Sequence, residues 1–201
     1  MLKIWGHPAA PNVAKVLWTC GELGLEFELI PTGGPHGGLD NPEYRRLNPN
    51  GRIPTLDDNG FVLWESHAIM RYLARRERAE ELYPVEARSV ARVDQWLDWQ
   101  GSHLAQAVRD LVRMTIKATT PPAKDALARA EAEADTHFGM VDALLQEQPH
   151  IAGDAFTLAD IPIGVAVYRW TTLPVARAKL PALMDWYEQV VSRPGAEFLS
   201  A

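Results

Sequence analysis

Apolar and polar positions follow two rhythms along this chain, and the change between them falls near residue 80. In the first part, short apolar runs alternate with helical spacings. Residues 2–5 form a compact apolar run that predicts a buried strand, followed by a loop over residues 6–10. Val13, Val16, Leu17, Cys20 and Leu23 then recur at helical spacing up to Gly24, with Pro11 placed for the first turn. Residues 27–30 predict a second strand, and residues 31–41, with four glycines and two prolines, a mobile loop or broken helix. Pro42–Leu47 suits one helical turn. Residues 52–56 and 61–64 read as two strands joined by the turn cluster Asp57-Asp58-Asn59-Gly60. A helix with Ala68, Ile69, Tyr72 and Leu73 on one face follows, and Ser66 is its expected N-cap.

Beyond residue 80 the strand rhythm disappears. Residues 79–87, interrupted by Pro84, predict a linker. Val90, Val93, Leu97, Leu104, Val108 and Leu111 mark a long amphipathic helix that Thr119-Thr120-Pro121-Pro122 ends. A second runs from about Lys124 to Gln146, with Leu127, Ala130, Ala134, Phe138, Val141 and Leu145 inward. Thr157-Leu158-Ala159-Asp160 has capping-box form, with Asp in place of Glu. Pro162, inside the helix that follows, is expected to remove a hydrogen bond or bend it. Leu183, Trp186, Tyr187 and Val190 make a final helical face before Arg193-Pro194-Gly195. The pattern thus predicts a small α/β domain over residues 1–78, the linker, and an all-helical domain over residues 88–201.

Composition narrows the function classes. At 201 residues, 47% apolar and 23% charged, the chain has ordinary globular composition. A formal charge of -6 argues against nucleic acid or anionic membranes as partners. No apolar run approaches a membrane span, and residues 1–5 lead straight into a strand without a signal-peptide pattern. A single cysteine excludes an intramolecular disulfide and fits the cytoplasm. Six scattered histidines show no metal-ligand spacing, so no metal site is expected.

The candidate chemistry lies in residues 48–74, NPNGRIPTLDDNGFVLWESHAIMRYLA. Only about 5–6% of X-Pro bonds are cis, so composition favours trans at Ile53-Pro54. A cis bond would turn the Ile53 N–H and C=O outward, where an extended peptide could pair with them. The helix start at Ser66 offers free N–H groups and a hydroxyl to a carboxylate, and Glu65 offers a partner to an ammonium group.

This stretch resembles the glutathione-binding half of the cytosolic glutathione transferase family, in particular its bacterial, theta-like serine-type branch. Leu82-Tyr83-Pro84 resembles the family's interdomain linker, and Gly153-Asp154-Ala155-Phe156-Thr157-Leu158-Ala159-Asp160-Ile161 its second-domain capping segment. The resemblance implies a thioredoxin-like α/β N-terminal domain, an all-α C-terminal domain and a homodimer. It also implies a cis Ile53-Pro54 bond, with Arg52, Ile53, Pro54, Glu65 and Ser66 binding glutathione as co-substrate and no further cofactor. The expected reaction is conjugation of glutathione to a small apolar electrophile. Isomerisation, dehalogenation or peroxide reduction on the same fold is an alternative, as is non-catalytic glutathione or hydrophobic-ligand carriage.

One position departs from the family pattern. Asn12-Val13-Ala14-Lys15-Val16 matches, but Ala10 stands where that branch carries its serine. Asn12 is therefore the expected thiolate stabiliser, because Pro11 has no N–H and Asn12 holds the first available helical donor. His7 is a second candidate, as general base or pocket wall. Pro8, Ala10, Trp99, His103, Met114 and Trp170 are expected around the electrophile. Asp98 and Gln100 are candidates for a dimer interface. Cys20, on the apolar helix face, is expected to pack rather than react.

Overall fold

Strand β1 (Leu2–Gly6) is the hub of a four-stranded sheet in the order β2-β1-β3-β4. It pairs parallel with β2 (Phe27–Pro31) and antiparallel with β3 (Thr55–Asp58), which pairs antiparallel with β4 (Phe61–Trp64). The register sets Ile4 beside both Leu29 and Leu56, so the inward side chains of three strands meet in one row. Helices α1 (Pro11–Glu22) and α3 (Ser66–Arg76) close the core with Val13, Val16, Leu17, Cys20, Ile69 and Leu73. A short helix, α2 (Pro42–Leu47), lies in the link between β2 and β3, its start capped by the Asn41 side chain. The β3–β4 turn places Asn59 (φ 52°) and Gly60 (φ 96°) in the left-handed region, as a two-residue hairpin of this hand requires.

The computed structural model describes residues 1–199. It divides into two compact units, one of Met1–Tyr83 with the C-terminal segment from Ser192, the other Pro84–Val191. Sequence pattern alone puts that last segment in the helical domain. It belongs instead with the sheet unit, where the turn Pro194–Leu199 lies on α1. A Cβ on Gly195 would stand 2.3 Å from the Trp18 carbonyl oxygen, and one on Gly21 2.5 Å from the Gly195 Cα. The two backbones approach this closely because neither residue has a side chain. Arg193 then closes the contact with a two-pronged pair to the Glu22 carboxylate (2.7 and 3.0 Å), and Trp18 Nε1 donates to the same group. Ser200 and Ala201, included in the expected helical span, lie outside the described residues.

The second unit is helical among the described residues: α4 (Ala87–Trp99), α5 (Ala105–Met114), α6 (Lys124–Leu145), α7 (Asp160–Thr171) and α8 (Pro181–Val191). The predicted long first helix is two α segments joined by a π turn over Gln100–Leu104. Periodicity misses it, because one wide turn barely changes the spacing of apolar residues. Asp160, with no exposed surface, accepts from the Ile151 and Thr157 N–H groups (3.0 and 2.8 Å) and from Trp186 Nε1 (3.2 Å). The expected cost of Pro162 does not arise. Pro162 is the third residue of α7, where an N–H has no intrahelical acceptor in any case.

Candidate active site

The loop before β3 is built by two side chains from the preceding turn. Asn48 Nδ2 donates to the Arg52 carbonyl (2.9 Å) and to Thr55 Oγ1 (3.1 Å), and the Tyr44 hydroxyl contacts the same two groups. Tyr44, Asn48 and Thr55 are all buried, so residues 52–55 are held at both ends by satisfied polar groups. Between those ends, the Ile53-Pro54 bond is cis. Composition pointed to trans, whereas the family resemblance implied cis. The predicted strand over 52–56 begins three residues later, at Thr55, because Pro54 has no N–H to give the ladder. Among the described residues, the backbone hydrogen bonds outside helices and strands do not engage the Ile53 N–H or C=O.

Next to β4, Glu65 is the residue that turns the chain into α3. It is the N-cap, at φ 75°, and Ser66 is the first helical residue rather than the cap. A glutamate in the left-handed region is uncommon, and strain of this kind concentrates at binding sites. The Glu65 side chain is exposed while Ser66 is buried. The start of α3 therefore carries N–H groups without intrahelical acceptors, beside an exposed glutamate. Arg52 is exposed and carries its guanidinium on the loop just before cis-Pro54.

At the start of α1, Ala10 is the N-cap and makes no side-chain cap. Its carbonyl accepts from Val13 and Ala14. Pro11 has no donor, so Asn12 supplies the first N–H of the helix, and both residues are exposed. Pro8 lies in the half-buried loop before them. His7, also half-buried, titrates below the ordinary histidine value, first because burial disfavours its charged form and second because of the charge of His36. Cys20 has no exposed surface, and burial pushes its thiol up to about 12. It is a packed apolar side chain rather than a nucleophile.

The helical unit separates the residues expected around an electrophile. His103 and Met114 line one cleft of about 420 Å³ between α5 and α6, together with His137, Gln106 and Glu133. Trp99 sits beside it, its ring 6.4 Å from that of His103 and 5.7 Å from that of His137. Trp170 belongs elsewhere. It is 2% exposed and stacked on Phe138 at 4.3 Å, so its ring packs the core and its expected place in a pocket wall is withdrawn. Of the two candidates for an interface, Gln100 is buried in the π turn and Asp98 is exposed on α4. His36, His137, Tyr44 and Asn48 contact the expected site residues or hold the cis-proline loop, and sequence reasoning did not place them there. The symmetric run Gly-Gly-Pro-His-Gly-Gly was the signal available for His36. Among the described residues, no group of three or more His, Cys, Asp or Glu side chains could hold a metal ion, and no helix is long and apolar enough to cross a membrane.

Comparison with known proteins bears on the family and the fold. Residues 9–76 match the model of the glutathione S-transferase N-terminal domain, and residues 124–189 that of the C-terminal domain. The chain is 33% identical over 199 residues to glutathione S-transferase GstB of Escherichia coli strain K12, covering 96% of this chain and 95% of that one. It is 34% identical over 202 residues to glutathione S-transferase 3 of Zea mays, covering 96% and 90%. Among solved structures it superposes, with a TM-score of 0.91 and 40% identity over 98% of this chain and 95% of the other, on the theta class glutathione S-transferase of Xanthomonas axonopodis pv. citri with glutathione bound. Sheet order, helical second unit and similarity over nearly the full length converge: the chain belongs to the glutathione S-transferase family of transferases.

Proposed function

We propose that this chain binds glutathione along the Ile53-Pro54 loop and the start of α3, and transfers its thiolate to small apolar electrophiles. The observation that carries the reading is the pairing, within one unit, of a free Ile53 backbone with the open helix start at Glu65-Ser66. The Ile53 N–H and C=O would pair with the tripeptide backbone. Ser66 and the α3 N–H groups would hold the γ-glutamyl carboxylate, Glu65 its ammonium group, and Arg52 the glycine carboxylate. The glutathione-bound theta class relative supports the choice of peptide. We further propose that the enzyme works in the cytoplasm as a homodimer.

With no hydroxyl at Ala10, the thiolate needs another source of stabilisation. Glutathione's thiol resembles free cysteine, near 8.5, and lowering it by about two units requires roughly 2.7 kcal/mol. The α1 dipole and the Asn12 N–H and amide are the groups suited to supply it. The test is a pH titration of thiolate ultraviolet absorbance with glutathione bound. A pKa well below that of free glutathione, moved back up in Asn12→Ala, is the expected result. Saturable binding with an unshifted pKa would instead favour the second reading, a glutathione or hydrophobic-ligand carrier, for which Ala10 is the specific observation.

A further inference from the structure

Residues 33–38 read Gly-Gly-Pro-His-Gly-Gly, and all four glycines have positive φ: Gly33 76°, Gly34 52°, Gly37 62° and Gly38 83°. Side-chain-bearing residues enter that region at a cost, so this run is shaped for one tight knuckle. The Gly33 N–H donates to the Gly37 carbonyl (2.7 Å) and the His36 N–H to the Gly33 carbonyl (3.0 Å), which closes it. The knuckle touches two other parts of the same unit. A Cβ on Gly33 would stand 2.9 Å from Ile53 Cδ1, and one on Gly34 2.7 Å from His7 Nε2. At its tip His36 meets His7, ring centroids 5.9 Å apart and planes tilted by 54°. Ile53 packs against the hydrophobic core of this unit and Gly33 is buried beside it, whereas His36 at the tip is exposed. Core packing therefore accounts for the base of the knuckle but not for the contact between the two imidazoles. The knuckle places a two-imidazole pair in contact with both the loop that leads into α1 and the cis-proline loop.

We propose that His7 accepts the thiol proton as bound glutathione ionises, and that His36, held by the glycine knuckle, is the positioning residue that aims it. This rests on the glutathione reading above and supplies a proton acceptor where Ala10 offers none. His7 Nδ1, on the ring edge away from Gly34, takes the proton from sulfur. The sulfur electron pair forms the bond to the acceptor carbon, and the leaving group departs as an anion with the bonding pair it shared with that carbon. The imidazolium then returns its proton to water. The charged group that acts on His7 among the described residues is His36, while Asp40 in the same segment is engaged with Arg45 at 2.9 Å. Partial burial and this neighbour both lower the His7 pKa, which keeps the ring neutral, and so able to accept a proton, to lower pH.

The test is the pH profile of kcat/KM for the full chain with glutathione and chlorodinitrobenzene, with calorimetric glutathione binding and a Tm for each variant. His36→Ala removes the neighbouring charge but leaves the burial, so the acid limb should move to higher pH. His7→Gln should leave only the thiol's own titration in that limb and lower kcat on the order of 10²-fold, with glutathione affinity little changed. Gly34→Ala, whose Cβ displaces His7, should lower kcat in the same sense. An acid limb unmoved in His36→Ala, or an undiminished kcat in His7→Gln, overturns this proposal while leaving the transferase reading intact. Absence of saturable glutathione binding by the native chain overturns both.

Discussion

Glu65 shows at the scale of one residue how this site is shaped. Its φ of 75° suits glycine, which has no Cβ to clash, yet the position holds a carboxylate turned to solvent beside the open start of α3. Replacing it by glycine should relieve about 1 kcal/mol of backbone strain and raise Tm by a few degrees. The same change removes the proposed partner of the γ-glutamyl ammonium group, so glutathione affinity should fall about tenfold or more. Thermal unfolding and calorimetry on Glu65→Gly would read the two together. A variant that is less stable, or that binds as tightly as the native chain, would refute this account. The Glu-Ser pair was visible in sequence, but the handedness of Glu65 was not. Sequence reading made Ser66 the cap, whereas the chain reverses one residue earlier to bring a buried serine onto the first turn.

At the scale of the element, α7 is governed by one buried carboxylate. Asp160 satisfies two backbone N–H groups and the Trp186 indole, all away from water, and Thr157 Oγ1 lies 3.2 Å from it. Asp160→Ala would orphan those donors at once. The expected loss is about 3 kcal/mol or more of stability, seen as a lowered denaturation midpoint. Loss of less than about 1 kcal/mol would mean that water or a rearranged turn takes over these donors. Thr-x-x-Asp was legible because a capping box uses a fixed short spacing. The reach of Asp160 to Ile151 and Trp186, nine and twenty-six residues away, was not, because such bonds depend on how distant segments pack. The π turn over Gln100–Leu104 escaped for a related reason, since a widened turn leaves the surrounding 3.6-residue spacing nearly intact.

At the scale of the whole molecule, two segments far apart in sequence, Leu2–Gly6 and Pro194–Leu199, share one unit. Phe198 packs on the sheet core, its ring 5.8 Å from that of Phe27, and Gly195 lies against α1. Truncation after Val191 should therefore weaken the sheet unit first. Hydrogen exchange would show α1 losing protection while α6 and α7 keep theirs. Uniform loss across both units, or none, would contradict this. That contact rests on backbone approach and on the Arg193–Glu22 pair.

The sequence by itself determined the order of elements and the glutathione-transferase resemblance. Both rest on short-range chemistry: alternation for strands, 3.6-residue spacing for helices, glycine, proline and capping residues at fixed offsets, and one contiguous binding motif. Tertiary structure decided what depends on distant contact. It chose the cis bond at Ile53-Pro54 through a loop held by Tyr44 and Asn48, returned the chain from Ser192 to α1, and sent Trp170 into the core. It also brought His36 to His7 across twenty-eight residues of intervening chain, since the glycine run shapes the knuckle locally but no local pattern sets what its tip meets.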